Sequence, residues 1–293
     1  MRKIAPLFIL LIIANSAFGR DEVFRKVYPT EPGKPVVIDF RDVDGDVRIE
    51  AHDRDEVVFE FTKTITGSPS RGRERYFQDI RPEVSFSGNR FQAEITYPRR
   101  GVITFLFNFS NIRVRSVLKV PVKSDTVVKL VDGDINISGI DGRMQVRTTD
   151  GDIGLRACRG ELNVRTVDGD IEVLESEGRI RCEAVDGDMT AEGRFASVQA
   201  ETTDGDIDLR FLEGSLPSSE SRFRTTDGDI RISLPREMGI RLSATAGDGL
   251  IRSDVRFDRI IVQRKHRLEA ERGQSGALVS IETVDGNITI REY

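Results

Sequence analysis

Apolar and polar residues alternate along this chain in short bursts that recur at a fixed interval. Counting from the aspartate that opens each Asp-Gly-Asp triplet, the fourth and sixth positions are apolar: Ile135 and Ile137, Ile153 and Leu155, Ile171 and Val173, Ile207 and Leu209, Ile230 and Ile232. The thirteenth and fifteenth are apolar again: Met144 and Val146, Leu162 and Val164, Ile180 and Cys182. Polar residues such as Asn136, Gln145, Asn163 and Arg181 fill the positions between. A period of two marks a strand with one buried face.

The triplets begin at Asp44, Asp132, Asp150, Asp168, Asp186, Asp204 and Asp227, and an Asp-Gly-Asn variant begins at Asp285. From 132 to 204 the starts lie 18 apart, and the next gap is 23. The eleventh position is Gly142, Gly160, Gly178 and Gly214, so each unit divides into two halves of nine, each reading glycine, any, apolar, any, apolar. A fixed short period is the signature of a repeat architecture. Strands of about five residues joined by glycine corners wind into a flattened solenoid whose coils stack about 4.8 Å apart. The expected fold is therefore all-β: a single-stranded β-helix, or β-solenoid, of 18-residue coils. Antiparallel hairpins turning at each Asp-Gly are the alternative. Hairpins would not require equal unit lengths, so the regularity favours stacking.

Departures from the period predict where the stack is disturbed. The repeat from Asp186 carries the smaller Ala191, Val198 and Ala200 at core positions. The 204 repeat holds an insertion, "SLPSSES", expected as a loop, and "AGDGLI" at Ala246–Ile251 reads as a degenerate corner. "KPVVIDFRDVDGDVRIEA" fits one repeat, whereas the rest of the N-terminal third does not. There, a hairpin is expected around Gly88-Asn89 and one or two helical turns within Arg73–Ile80. The predicted organisation is an export signal at 1–19, a β-rich cap with one repeat at 20–125, and the solenoid at 126–293, continuous with the cap.

Two segments, "SVLKVPVKSDTVVKLVDGDINISGIDGRMQVRTTDGDI" and "GALVSIETVDGNITIREY", resemble the bacterial putative-adhesin family of uncharacterised β-strand-repeat envelope proteins. The resemblance covers most of residues 35–293. It implies a β-helix domain of the bacterial envelope and supplies no catalytic residues to carry over. The long Arg252–Gly276 segment departs from the family pattern and leaves the C-terminal packing open.

The N-terminus has Arg2 and Lys3, an apolar run from Ile4 to Ala14, and small residues at Ala17 and Gly19. That reads as a cleavable secretory signal ending at Gly19, too short to span a bilayer, which takes about 20 apolar residues. The mature chain is expected to carry no transmembrane segment and to be exported, periplasmic or secreted to the cell surface. Its net charge moves from −5 to −7 once Arg2 and Lys3 are removed, which argues against a nucleic-acid partner. The basic run Arg264-Lys265-His266-Arg267 is followed by Glu269 and Glu271 and reads as a solvated loop. The two cysteines, Cys158 and Cys182, are expected as free thiols, Cys182 buried.

The triplets are the one candidate for chemistry, and three readings compete. In the first, Gly133, Gly151, Gly169, Gly187, Gly205, Gly228 and Gly286 are structural turn glycines and the aspartates accept turn hydrogen bonds. In the second, Asp132, Asp134, Asp150, Asp152, Asp168, Asp170, Asp186, Asp188, Asp204 and Asp206 hold calcium between coils, as in a calcium-stabilised β-roll. The nine-residue period agrees with that reading, but the paired glycines of the β-roll motif are missing. In the third, paired carboxylates serve a polysaccharide-active β-helix enzyme. Catalysis needs one distinct constellation rather than the same triplet in every coil, and a chain with no Trp and four Tyr offers few platforms for sugars. His52 and His266 read as exposed loop residues. The threonines at position seventeen, such as Thr148, Thr166, Thr202 and Thr225, are in phase with the inward positions. The expectation is a non-enzymatic binding module or scaffold with no obligatory cofactor, calcium being the one ion its corners would suit, and with an envelope protein or surface ligand as partner.

Overall fold

The computed structural model describes residues 9–16, 19–67, 70–98, 111–273 and 276–293. The chain divides into two compact units, Met1–Ile140 and Asp141–Tyr293. Among the described residues it is all-β apart from one short helix.

The first unit contains β1 (Ile9–Ser16), β2 (Gly19–Pro29), β3 (Val36–Arg41), β4 (Asp46–His52), β5 (Glu56–Thr66), α1 (Arg71–Asp79), β6 (Arg81–Ser87), β7 (Arg90–Thr96), β8 (Ile112–Pro121), β9 (Ser124–Lys129) and β10 (Ile135–Ser138). The repeat-like strand β3 lies parallel between β7 and β9, and β4 lies parallel between β8 and β10. The first coil in sequence is thus threaded between two later ones. Antiparallel strands extend both layers: β6 on β7, and β5 on β8 with β2 beyond it. The β6–β7 hairpin turns at Gly88 and Asn89, with φ +55° and +58°, at the expected place. Residues 1–8, 17 and 18 of the expected export signal lie outside the described residues, and Ile9–Ser16 pairs antiparallel with β2. Helix α1 falls close to the expected span. Ser70 caps its first turn by accepting from the Arg73 amide. Buried Lys63 donates to the Phe77 and Ile80 carbonyls at its other end, 2.7 and 3.0 Å away. The core is aromatic: Phe59 lies 5.6 Å from Phe91, and Tyr28 lies 5.3 Å from Phe91.

The second unit contains β11 (Asp141–Arg147), β12 (Ile153–Arg156), β13 (Arg159–Arg165), β14 (Ile171–Glu183), β15 (Met189–Glu201), β16 (Ile207–Phe211), β17 (Ser221–Asp227), β18 (Ile230–Leu234), β19 (Ile240–Ala246), β20 (Ile251–Ser253), β21 (Arg259–Arg264), β22 (Arg267–Arg272), β23 (Ala277–Asp285) and β24 (Ile288–Glu292). Pairing between successive coils is parallel, so the hairpin alternative fails. Ile153 faces Ile171, which faces Met189, which faces Ile207, which faces Ile230. On the other layer Val146, Val164, Cys182 and Ala200 form one row. Every inward position named above is buried, and each fully buried aliphatic side chain contributes about 1.5–3 kcal/mol. Where the core residues shrink around Ala191, Val198 and Ala200, Phe195 fills the interior, 6.1 Å from Phe211. Cys158 and Cys182 are buried thiols with no disulfide between them, and burial raises the Cys182 thiol to about 12.

The stacking order at the C-terminus departs from the order of the sequence. The last coil, β23–β24, inserts between β17–β18 and β19–β20. The degenerate corner at 246–251 therefore ends the row of corners, with Asp285 seated directly on Asp227. The Arg252–Gly276 segment supplies the antiparallel hairpin β21–β22, paired to β19 through β22. Arg264–Arg267 is the turn region of that hairpin, with Arg264, Lys265 and Arg267 exposed.

Candidate functional site

At each regular corner the strand must reverse while the coil below approaches to one backbone thickness. At Gly169 φ is +140°, and a Cβ there would lie 2.2 Å from the Gly151 carbonyl oxygen. Glycine is required both for the dihedral and for the space. The same crowding recurs at Gly187, Gly205, Gly228 and Gly286, each against the glycine carbonyl of the neighbouring coil, and in the first unit at Gly133 against Gly45. A second glycine row, Gly142, Gly160 and Gly178, repeats the arrangement at the opposite corner. Gly214 departs from that row: it sits in a turn where a Cβ would meet only the Arg194 side chain, at 3.6 Å.

The two aspartates of a triplet do different things. The second one bridges coils. Asp152 Oδ1 accepts from the Asp170 amide, Asp170 from Asp188, Asp188 from Asp206, and Asp206 from Asp229, at 2.7–2.8 Å. Asp229 accepts from the Asn287 amide at 2.8 Å, and that bond holds its carboxyl below the usual carboxylate range. In the first unit Asp46 accepts from Asp134 at 3.3 Å. The first aspartates, Asp150, Asp168, Asp186 and Asp204, pair through their backbones and expose their side chains. Asp227, the next in that row, has its carboxyl raised by desolvation and by the charges of Asp204 and Asp285. The position-seventeen threonines point inward. Thr166 Oγ1 donates to the Gly151 and Asp168 carbonyls at 3.2 and 3.3 Å, and Thr202 and Thr225 repeat this with Gly187 and Gly205. Among the described residues no group of three or more His, Cys, Asp or Glu side chains is arranged as metal ligands would be.

Three features were not anticipated. In the first unit the position-seventeen residue is Asp42, where other coils place Thr, Ala or Leu. Its Oδ1 accepts from the Val43 amide at 2.7 Å and from the Tyr97 hydroxyl at 2.7 Å, and its Oδ2 is buried without a partner. Burial pushes this carboxyl up to about 6. Burial, and after it the charge of Asp42, raises the Tyr97 phenol. In the second unit, the insertion after β16 opens a cavity of about 490 Å³ lined by Leu216, Pro235, Met238 and Tyr293 with Glu213, Arg236 and Glu237. Its floor is fixed: buried Arg272 donates to the Pro235 and Met238 carbonyls, both at 2.8 Å, and pairs with Glu292 at 3.0 Å. Tyr293 is held by its hydroxyl, 2.5 Å from the Phe211 carbonyl, and by the Arg210 guanidinium 4.3 Å over its ring. Leu216 is 82% exposed at the rim. Finally, the two histidines are half-buried, not exposed. His52 Nε2 lies 2.8 Å from the Glu56 carbonyl, and His266 Nδ1 lies 2.7 Å from the Gly249 carbonyl. Each ties a turn to its neighbour.

The Toastrack DUF4097 family matches residues 110–223 and 194–291. No curated protein matches the chain. Among solved structures, a Bacteroides fragilis protein described as a putative adhesin is 13% identical over 92% of this chain and 97% of its own, with a TM-score of 0.49. A Parabacteroides distasonis protein described as a putative lipid binding protein is 14% identical over 92% and 96%, with a TM-score of 0.45. A Clostridium sporogenes protein described as a putative cell adhesion protein is 13% identical over 94% and 100%, with a TM-score of 0.32. Among the described residues no helix is long and apolar enough to cross a membrane.

Proposed function

Since the chain belongs to the Toastrack DUF4097 family, we propose that it is an exported, non-enzymatic binding module of the bacterial envelope: an adhesin-like β-solenoid of 18-residue coils. The observation that carries this is how the repeated carboxylates are used. The second aspartate of each regular triplet is committed to a backbone amide of the next coil, so the chemistry most repeated in the sequence is spent on holding coils together. A binding surface is then sought where the repeat is interrupted, and the interruption after β16 is lined by Leu216, Met238 and Tyr293 around a floor held by Arg272. A cavity of apolar walls with a few charged groups at its rim suits a ligand or partner side chain of mixed character. In this account calcium is dispensable. Export proceeds with cleavage after Gly19, and Arg20 becomes the new terminus, which Edman sequencing of the exported protein checks.

The test immobilises the mature chain and presents it with separated envelope protein and polysaccharide fractions, freed of lipid. Retention of one fraction, lost in Leu216→Asp and unaccompanied by any chemical change in that fraction, is the expected result. Leu216 is exposed, so the variant should fold with stability within about 0.5 kcal/mol of the parent. Depolymerisation of a polysaccharide fraction, abolished by substitution of corner aspartates, would establish the enzyme instead.

A further inference from the structure

The cavity after β16 is not the only unusual surface of the second unit. Strand β21 (Arg259–Arg264) is the outermost strand of its layer, paired only with β22 among the described residues. An outer strand is ordinarily blunted with charge to prevent association. This one exposes two consecutive isoleucines, Ile260 and Ile261, at 51% and 50%. The cause is a break in register: Ile260 faces Ala270 and Val262 faces Glu269, so Ile261 is an extra residue with no partner opposite. The bulge suspends the alternation that would have turned one of the two inward.

Cations surround this apolar pair. Arg259, Arg264, Lys265 and Arg267 are all exposed. Among the described residues two ion pairs offset them: Glu271 lies 4.0 Å from Arg259, and Glu269 is in contact with Arg267. Between Arg252 and Glu271 there are six cations (Arg252, Arg256, Arg259, Arg264, Lys265, Arg267) and four anions (Asp254, Asp258, Glu269, Glu271), a local charge of +2 in a chain of net charge −5. The patch is held firmly. His266 is tied to the Gly249 carbonyl, its own carbonyl accepts from the Ala246 amide at 3.1 Å, and the Lys265 carbonyl accepts from Ile251 at 3.2 Å.

We infer that the β21–β22 hairpin is a docking face for an anionic phospholipid bilayer, with Ile260 and Ile261 entering the interface and Arg264 and Lys265 meeting lipid phosphates. Exposed aliphatic residues beside a cluster of cations are the two components of interfacial membrane binding. Two other occupants fit less well. A second copy pairing antiparallel along β21, centred between Ile261 and Val262, would set Arg259 opposite Arg264 at both ends, and like charges placed opposite one another destabilise a sheet. An added strand from another protein would meet the bulge, which interrupts the ladder it needs. The exposed first-aspartate row of the same unit would be repelled by an anionic surface, so contact would be confined to the hairpin.

Co-sedimentation of the mature chain with vesicles tests this, using phosphatidylcholine alone and phosphatidylcholine with a quarter phosphatidylglycerol. Binding to the anionic vesicles alone, weakening with salt, is expected. Ile260→Ser/Ile261→Ser and Arg264→Gln/Lys265→Gln should each lower the partition coefficient by about tenfold or more. Both leave the melting temperature unchanged, whereas Leu216→Asp, at the cavity, leaves vesicle binding intact. Equal binding to neutral vesicles, no binding at all, or variants that bind as the parent does would overturn the inference. So would a concentration-dependent dimer dispersed by the isoleucine variant, which would make the face an interface between copies.

Discussion

The corner at Asp168–Asp170 and the corner at Asp44–Asp46 share one triplet but are supported by opposite chemistry. Under the first stands Thr166, a neutral donor whose hydroxyl satisfies the Gly151 and Asp168 carbonyls. Under the second stands Asp42, an acceptor that draws on the Val43 amide and the Tyr97 hydroxyl and keeps one oxygen unpartnered in the core. A threonine supports its corner without regard to pH. A buried carboxyl does not, because its charged form is penalised by the loss of water. At this inward position the regular corner thus has a hydroxyl that carries no charge, and the corner in the first unit has a carboxyl that titrates.

The largest effect should come from removing what the two corners share. Gly169→Val places a β-branched residue at φ +140° with its Cβ 2.2 Å from a carbonyl oxygen. Destabilisation above about 4 kcal/mol, or loss of folding, is expected. A soluble variant melting within a few degrees of the parent would mean the corner relaxes in a way the geometry does not allow.

The second effect separates the corners. Asp42 is raised to about 6 in the folded chain, above an unfolded value of about 3.9. The sign follows: the folded state holds the proton more tightly, so the stability due to this group is full below about pH 4 and is lost as pH rises through 6. The loss should be on the order of 2–3 kcal/mol. Denaturant unfolding from pH 4 to 8 should show it in the parent and not in Asp42→Asn. Thr166→Val, in contrast, should cost on the order of 1 kcal/mol through the missing hydroxyl donor, and equally at every pH. A pH-dependent cost there would dissolve the distinction.

The stack was readable because its information is local and repeated. Inward Ile153, Leu155, Leu162 and Val164 announce themselves by alternation, and the glycine columns by period. What escaped notice depends on contacts that no period records. The last coil slides between two earlier ones because its corner at Asp285 fits on Asp227 as well as any neighbour would. Interchangeable coils leave no mark of their stacking order. The cavity exists because Tyr293 returns to Phe211, 82 positions away, and because Arg272 reaches back to the Pro235–Met238 turn. Asp42 was legible in principle. Extending the threonine column back to the first repeat places a charged residue at an inward position, which is the signature of a buried acid. The histidines were misjudged because polar neighbours in sequence, such as Asp53 and Lys265, say nothing about the turn carbonyls the rings come to rest against.

The second aspartate of each regular corner accepts a backbone amide, and we propose that the corners hold no obligatory ion. Asp170 tests it most directly, since its Oδ1 accepts the Asp188 amide and its own amide donates to Asp152. Asp170→Asn retains an acceptor oxygen and should cost under about 1 kcal/mol. Thermal unfolding of the parent and of this variant, in excess chelator and in millimolar Ca²⁺, is the measurement. The account predicts the same melting temperature in both media for each protein, since an ion that binds neither state shifts nothing. A rise of many degrees with calcium in the parent, abolished by Asp170→Asn, would contradict it and make the corners a calcium-bound stack.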